Sequence, residues 1–461
     1  MLEPISLEGH QRLLVVAPHC DDETLGAGGM IQAAVRQGIE IRVVIETNGD
    51  GYLFATMEEF RRLFPTARDY IHMGEIRQQE SLSALQLLGL SPVNVTFLSY
   101  PDRGTPSLWN ENWSTPNPYR SPYIEASHSP YPMTYNAQSV YAGQDLLADL
   151  LSILHSYQPG LILYPHPDDV HPDHWGLSNF VLLAVLLEQH QNPGFRPEAY
   201  AYLVHRPDFL VPREFKPDQP LLPPGALFDV STGWFRFDVT QAEAMRKWDA
   251  VQLYRSQLSF LRELFQGFIR RNELFERVEP GALPSLASGE RLNPSTWRDP
   301  QGNALVPVQR DPVKDMFVRD AVAGADLMAV WAAQTADGSL AVCAELRGEA
   351  APGLGYTLRV SAVTSDGVRQ QATRTNGGQP GPGHAEATGQ FVCARFALSD
   401  LGMPWAVALG AEVQGPEGID LDRIAWPFLH CRDRPTAGRG DALTGRPTRA
   451  ARALGTSWGP R

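Results

Sequence analysis

The feature that most constrains the fold is a short apolar run that ends abruptly in charged residues. Leu13–Ala17 is followed by Pro18 and then by His19-Cys20-Asp21-Asp22-Glu23. A short run of aliphatic and β-branched side chains is typical of a buried strand in a parallel sheet. Ligands of such sheets bind just outside the carboxyl ends of the strands. Since one imidazole and several carboxylates crowded there are costly without a counter-charge, the pattern predicts a divalent metal ion at this strand end.

A second strand-like run is followed by a similar loop. Leu161–Tyr164 precedes Pro165-His166-Pro167-Asp168-Asp169-Val170-His171-Pro172-Asp173-His174. Because parallel strands bring their carboxyl ends to one sheet edge, we expect the two loops to meet. His19 and Asp22 with one histidine of the second loop form a two-histidine, one-carboxylate set. Three protein ligands with an open fourth position are typical of catalytic zinc, and iron(II) is the chemical alternative.

These residues resemble the signature of the PIG-L/LmbE-type N-acetylglucosaminyl deacetylases. The hallmark of that family is Ala-His-Pro-Asp-Asp-Glu after the first strand and a later His-Pro-Asp-His, which stand here as Pro18–Glu23 and His171–His174. Further matches are Leu25–Gly29, Arg77–Glu80 and Phe97–Asp102. The resemblance covers about residues 12–275. It implies a zinc-dependent hydrolase that removes the N-acetyl group of an amino-sugar substrate.

The resemblance also implies a role for each residue of the two motifs. It makes His19, Asp22 and His174 the metal ligands and Asp21 the general base. His171 would stabilise the oxyanion or protonate the leaving amine. The alternative for Asp21 is a carboxylate that only orients His19. For the two loop histidines, the alternative is that they merely cap the following helix.

Four further residues are expected to support the site. By resemblance, Arg77 and Asp102 would hydrogen-bond sugar hydroxyls, although Arg77 can also pair with Glu80 along its helix. Asp169 and Asp173 are expected to hold the imidazoles of the metal ligands.

Two other residues of the loops, His166 and Cys20, are not expected to bind the metal ion. We expect His166 to be a surface loop residue without a role in the site. Cys20 stands where the family has proline, and Pro18 where it has alanine. If strand geometry persists, adjacent residues point to opposite sides, so Cys20 should not bind the metal with His19. A partly exposed Cys20 near a cation would be prone to oxidation.

The alternation of strand-like and helix-like segments predicts an α/β fold, a Rossmann-like parallel sheet flanked by helices. The predicted strands are 12–17, 40–46, 94–98, 161–165 and 198–204, and the predicted helices are 26–37, 69–89, 139–156 and 174–189. Residues 239–275 have the apolar periodicity of a helix. The long segment 100–138 is rich in proline and aromatic residues, which either stack on sugar rings or pack on one another.

From about residue 324 the pattern changes to short strand-like runs separated by turns, which predicts a β-sandwich. We therefore expect a deacetylase domain over 1–275, a linker or wrapping segment over 276–322, a β-sandwich domain over 323–431 and a disordered tail over 432–461. The added β-domain is expected to position a large substrate or an oligomer partner.

Composition excludes some classes of function. The formal net charge of −13 argues against nucleic-acid binding. No apolar stretch reaches 18 residues, so no transmembrane helix is expected. Four cysteines and the lack of a signal peptide favour a cytoplasmic location, although Cys343 and Cys393 lie in strand-like runs and can pair.

The expected partner is an amino-sugar or glycoconjugate substrate, and the oligomeric state stays open. The competing hypotheses are a non-catalytic glycan-binding protein with a vestigial metal pocket, a deacylase of another N-acyl amide, and an iron oxygenase.

Overall fold

The computed structural model describes residues 2–228, 230–231, 233–288, 292–312, 322–376 and 385–431. Within these ranges the chain forms an α/β sheet covered by helices and then two mostly antiparallel sheets. The predicted tail 432–461 lies outside the described residues.

The first sheet contains eight strands. They are β1 (Glu3–Pro4), β2 (Arg12–Ala17), β3 (Glu40–Thr47), β4 (Val95–Tyr100), β5 (Leu161–Pro165), β6 (Glu198–Tyr202), β7 (Trp234–Asp238) and β8 (Asn272–Glu276). Their order is β1-β7-β8-β6-β5-β2-β3-β4. All neighbours from β6 to β4 pair in parallel, whereas β8 is antiparallel to both β6 and β7. The predicted parallel sheet is thus extended by an antiparallel part.

Helices bury both faces of this sheet. They are α1 (Asp22–Gln37), α2 (Leu53–Phe60), α3 (Ala67–Leu87), α4 (Thr105–Asn110), α5 (Gly143–Tyr157), α6 (Pro172–Gln191), α7 (Gln241–Val251) and α8 (Arg255–Gly267). Along β2, Leu13 and Val15 join one apolar cluster while Leu14 and Val16 join another. Since successive strand residues point to opposite faces, this alternation explains why β2 is apolar throughout.

The segment 239–275 differs from its predicted form. The chain leaves helical geometry between α7 and α8, and its last residues form β8 instead of helix. At the break, the buried Tyr254 donates a hydrogen bond to Glu23 Oε1 over 2.7 Å. The apolar periodicity continues across this break, so the sequence pattern did not reveal it.

The C-terminal part contains two further sheets. Their strands are β9 (Gly281–Ala282), β10 (Gln309–Arg310), β11 (Leu327–Gln334), β12 (Ser339–Leu346), β13 (Gly355–Thr364), β14 (Gly367–Asn376), β15 (Glu386–Thr388), β16 (Phe391–Ala397), β17 (Ala406–Gln414), β18 (Asp420–Arg423) and β19 (Phe428–His430). One sheet has the order β10-β11-β12-β16-β15 and the other β14-β13-β17-β19-β9, with β18 paired to β17. Apolar residues of both sheets share one cluster, as in a sandwich.

The sandwich also packs against the first sheet. Val363, Ala406, Trp426 and Phe428 join the apolar cluster that contains the α5–α6 face of that sheet. The segment between the two parts contributes β9 and β10 to the sandwich edges. The division of the chain at residues 276 and 323 stays a prediction.

Cys343 and Cys393 are opposite each other on β12 and β16 and form a disulfide. Disulfides are rare in reducing compartments, so this pair does not support the predicted cytoplasmic location. Among the helices of the described residues, none has the length and apolar character that crossing a bilayer requires.

Candidate active site

The two predicted loops meet at the carboxyl edge of the first sheet, because β5 and β2 are neighbours there. They border a cavity of about 190 Å³. The predicted site residues that line it are His19, Asp21, Arg77, Asp102 and His171. Larger grooves lie along α3 and α8, but a cluster of buried imidazoles and carboxylates lines neither of them. The predicted site residues therefore point to this smaller cavity as the candidate active site.

Asp22 connects the two predicted histidine ligands. Its Oδ2 atom lies 3.1 Å from His19 Nδ1 and 3.0 Å from His174 Nε2. All three side chains are buried. Although burial opposes it, the imidazoles of His174 and His19 lower the pKa of Asp22 well below its ordinary value. The two predicted histidine ligands thus meet at one carboxylate oxygen of the third predicted ligand, Asp22.

This donor set fits a divalent metal ion. Neither ring nitrogen of His174 makes a well-directed hydrogen bond, and Asp22 Oδ1 has no hydrogen-bond partner. Buried polar atoms without partners are costly and rare. Potential ligand atoms of His19, His171 and His174 lie within 4.8 Å of one another, as do those of Asp22, His174 and His205. Two imidazoles and a carboxylate match the preferences of zinc or iron(II).

Asp169 contacts His174, the second predicted histidine ligand. Its Oδ2 lies 3.1 Å from His174 Nδ1 and accepts hydrogen bonds from the backbone N–H groups of Val204 and His205. Its Oδ1 accepts from the backbone N–H of His171 over 2.9 Å. Although burial opposes it, the Asp169 and Asp22 carboxylates raise the pKa of His174 to about 10. One carboxylate therefore fixes both the ring of His174 and the backbone of His171.

The opposite side of the His19 ring faces two more carboxylates. His19 Nε2 lies 3.2 Å from Asp173 Oδ2 and 3.4 Å from Asp102 Oδ1. Asp173 also accepts hydrogen bonds from the backbone N–H groups of Arg103 and Thr105. The Asp173 carboxylate therefore ties the second loop to the segment after β4.

Arg77 holds the predicted general base. Its Nη2 atom lies 3.1 Å from Asp21 Oδ2 and also donates to Cys20 O, while Nη1 donates to Gly49 O. Gly49 has a φ of 64°, and a Cβ there would overlap the guanidinium group. Burial raises the pKa of Asp21 well above its ordinary value, an effect that the Arg77 charge opposes. The protein thus engages Nη1 and Nη2 of Arg77, whereas the buried Nε has no hydrogen-bond partner. Glu80 does not pair with Arg77 but accepts from Ser256.

The backbone of Asp21 has an unusual conformation. Its φ is 144°, and its side chain makes no capping hydrogen bond to α1, although it precedes that helix. Such a conformation costs a non-glycine residue about 1–3 kcal/mol and occurs mostly at functional sites. It directs the carboxylate toward Arg77 and the cavity rather than toward the helix N-terminus.

His171 stands at the N-cap of α6. Its Nδ1 accepts a hydrogen bond from the backbone N–H of Asp173 over 3.3 Å. Burial and the nearby imidazoles, that of His19 foremost, lower the pKa of His171 well below its ordinary value. A neutral imidazole whose Nδ1 accepts carries its proton on Nε2. His171 therefore caps its helix and still retains one N–H donor.

Residues 14–185 match the model of the PIG-L family, described as GlcNAc-PI de-N-acetylase. This part of the chain is therefore similar to the PIG-L family. All the predicted site residues lie within this PIG-L segment.

Two relatives are the 1D-myo-inositol 2-acetamido-2-deoxy-alpha-D-glucopyranoside deacetylases of Mycobacterium sp. strains KMS and JLS. Each is 32% identical over 196 residues, which are 42% of this chain and 56% of the relative. The chain thus spans about half the length of the curated relatives it matches.

Among solved structures, the N,N'-diacetylchitobiose deacetylase of Pyrococcus horikoshii is 18% identical, with a TM-score of 0.37 over 59% of this chain and 84% of that one. The conserved protein TT1542 of Thermus thermophilus is 21% identical, with a TM-score of 0.36 over 63% of this chain and 100% of that one.

Five cavity residues were not predicted: Tyr52, Arg103, His205, Gln257 and Leu261. Arg103 follows the predicted Asp102, and His205 follows the predicted strand 198–204, so their positions after strands were available signals. Tyr52, Gln257 and Leu261 carry no such signal. The last two come from α8, beyond the matched PIG-L segment.

Two expectations about neighbouring residues are corrected. His166 is fully buried, because its Nε2 lies 2.6 Å from Glu276 Oε2 and its ring stacks on Trp234. Cys20 is also fully buried in an apolar cluster, and this burial raises its pKa, so it is not an exposed, oxidation-prone thiol.

The sequence leaves two alternatives for the aromatic residues of the segment 100–138, stacking on sugar rings or packing on one another. Trp109 and Tyr131 are buried, and Trp109 packs edge-on against Trp113 of the same segment and against Phe180 and Trp426. The only residues of this segment that line the described cavity are Asp102 and Arg103.

Proposed function

We propose that the protein is a metal-dependent N-deacetylase of an N-acetyl amino sugar, free or as part of a glycoconjugate. The observation that carries this proposal is the convergence of His19 and His174 on Asp22 Oδ2, beside a carboxylate, Asp21, that faces the same cavity. The PIG-L family and the names of the mycobacterial relatives support the reaction class.

His19, Asp22 and His174 would hold the metal ion, which we propose to be zinc. When bound there, a divalent ion would polarise the amide carbonyl and lower the pKa of water. Asp169 and Asp173 keep the two imidazoles oriented, as carboxylates near metal-binding histidines commonly do.

Asp21 is proposed as the general base. It accepts a proton from water as the water oxygen forms a bond to the carbonyl carbon of the N-acetyl group. The amide C–N bond then breaks, and Asp21 returns the proton to the leaving nitrogen. The products are acetate and the free amine. Arg77 holds the Asp21 carboxylate in place, and its charge opposes the rise in the Asp21 pKa that burial causes.

His171 is proposed to stabilise the oxyanion. Because its Nδ1 accepts from Asp173 N–H, the neutral ring can donate from Nε2 to the carbonyl oxygen as that oxygen gains charge. This role does not need a charged imidazole.

Asp102 and Arg103 are proposed to bind sugar hydroxyls. Asp102 Oδ2 accepts from the backbone N–H of Gly51 over 2.7 Å, which orients the carboxylate at the cavity wall. Arg103 contributes N–H donors, and Tyr52 a ring face, to the same wall. These groups match the alternating donors and acceptors of a sugar ring.

Asp21→Asn tests the proposal. The assay is acetate release from 1D-myo-inositol 2-acetamido-2-deoxy-alpha-D-glucopyranoside and N,N'-diacetylchitobiose, with metal content measured on the same samples. We expect the variant to retain its metal and to lose about 10²–10⁴-fold in turnover. The control is Asp249→Asn, which removes a carboxylate on α7, away from the cavity, and should keep full activity. Normal acetate release by Asp21→Asn would exclude Asp21 as the base.

A further inference from the structure

The loop that carries His171 and His174 is contacted by the β-sandwich as well as by its own sheet. On the sheet side, the backbone N–H of Val170 donates to His205 O, and Arg206 donates to Asp168 O. On the other side lies the end of β18, where Arg423 Nη2 donates to Val170 O over 3.1 Å. The peptide groups of Val170 are therefore held from both sides.

Trp175 extends this contact to the start of α6. The Arg423 guanidinium lies over the Trp175 ring, 4.9 Å from its centroid. The Trp175 indole N–H donates to Ile424 O over 3.2 Å. Trp426 packs edge-on against the same ring at 6.3 Å. Three residues within one short stretch of the sandwich thus touch the residue that directly follows His174.

The charges around Arg423 favour this position. A cavity of about 240 Å³ separates the loop from the sandwich, and among its lining residues Arg423 is the basic one. The carboxylates that line it are Asp168, Asp169, Asp311, Asp420 and Asp422. A guanidinium group surrounded by carboxylates, with an aromatic face beneath it, is strongly restrained.

We propose that Arg423 is a positioning residue for the active site, and that the β-sandwich completes the site by holding the loop 166–174. Val170 lies between Asp169, which fixes His174, and His171, whose backbone N–H binds Asp169. A shift of the Val170 carbonyl therefore moves both histidines together. The expected effect of Arg423 on turnover rests on the proposed function, whereas its expected effect on the loop does not.

The first test measures the loop itself. In Arg423→Gln, hydrogen exchange of the amides of Asp169, Val170 and His171 should become at least tenfold faster, because their acceptors lie within the loop or on the adjoining strand end. The matched control is Arg359→Gln, which removes another arginine that contacts Glu111 of the α/β part and Glu412 of the sandwich. Arg359→Gln should leave the hydrogen-exchange rates of these three amides unchanged.

The second test measures metal retention and turnover. Zinc-loaded Arg423→Gln should lose zinc to a chelator about 10–100-fold more readily, the effect typical of removing a group that orients metal ligands. Turnover should fall with little change in KM, since no substrate contact is lost. Arg423→Lys keeps the charge but not the planar guanidinium group that lies over Trp175, so loop exchange, zinc loss and turnover should change in the same direction by a smaller amount.

The outcomes separate the possible errors. Unchanged loop exchange in Arg423→Gln, or an equal change in Arg359→Gln, would overturn the proposal. If Arg423→Gln does not fold, Arg423→Lys decides, and unchanged exchange with unchanged zinc retention in that variant would overturn it. If loop exchange is faster in Arg423→Gln but the original protein itself releases no acetate, the positioning role is supported and the proposed function is contradicted.

Discussion

Arg77 and Asp21 should be energetically coupled in the protein without substrate. The Arg77 side chain makes charge-assisted hydrogen bonds to Asp21 Oδ2, Cys20 O and Gly49 O, with lengths of 3.1, 2.9 and 2.9 Å. Both side chains are almost fully buried. Arg77→Gln would leave the Asp21 carboxylate without its partner, and breaking a buried pair in this way costs about 3–5 kcal/mol.

The cost of Arg77→Gln in folding free energy should be smaller when residue 21 is an uncharged asparagine. In the Asp21→Asn background, Arg77→Gln removes only the hydrogen bonds to two carbonyl oxygens, which we expect to cost about 1–3 kcal/mol. The difference between the two costs gives a coupling energy of about 2 kcal/mol. Urea unfolding of the four proteins with chelator present measures it.

A control variant removes an ion pair elsewhere. Arg359→Gln breaks the 3.0 Å contact with Glu412 in the sandwich. Its effect on the free energy of unfolding should simply add to that of Asp21→Asn, with no coupling energy. If the coupling between Arg77 and Asp21 is below about 0.5 kcal/mol, Arg77 does not hold Asp21.

Two further predictions concern the metal and the pH dependence of stability. His174→Ala should lose bound zinc, whereas His72→Ala, on an exposed position of α3, should keep it; full metal occupancy in the former would exclude His174 as a ligand. Burial and the Asp102 charge raise the pKa of Asp50 to about 7, well above the value of about 3.9 expected when unfolded. Between these values the folded state binds more protons, so stability falls as pH rises. Asp50→Asn should remove this slope and gain at most about 4 kcal/mol relative to the original protein by about pH 8. Equal urea midpoint differences at about pH 5 and pH 8 would contradict this.

The position of the site could be predicted because its signals are local. A buried parallel strand followed by histidines and carboxylates occurs twice, and parallel strands place such loops at one sheet edge. The structure brings His19, Asp22 and His174 together there. The strands β2 to β6 could be predicted for a similar reason, since their apolar runs are long enough to be recognised without knowledge of their neighbours.

Other features had no local signal. His166 and His171 stand in the same loop and look alike in sequence, yet His166 turns inward because Glu276 and Trp234 contact it from strands far along the chain. The edge strand β14 is mostly polar, so no apolar run marks it in the sequence. The break before α8 was hidden by an uninterrupted apolar periodicity.

The sequence by itself determined which groups can bind a metal ion and exchange protons, because those properties belong to side chains and to the strand ends that carry them. The tertiary structure decided which side chains share the cavity and which residues hold them. Gln257 and Leu261 enter the cavity from α8, and Arg423 reaches the loop 166–174 from the sandwich. Such contacts depend on how separate elements pack, and packing between residues hundreds of positions apart leaves no periodic pattern in a single sequence.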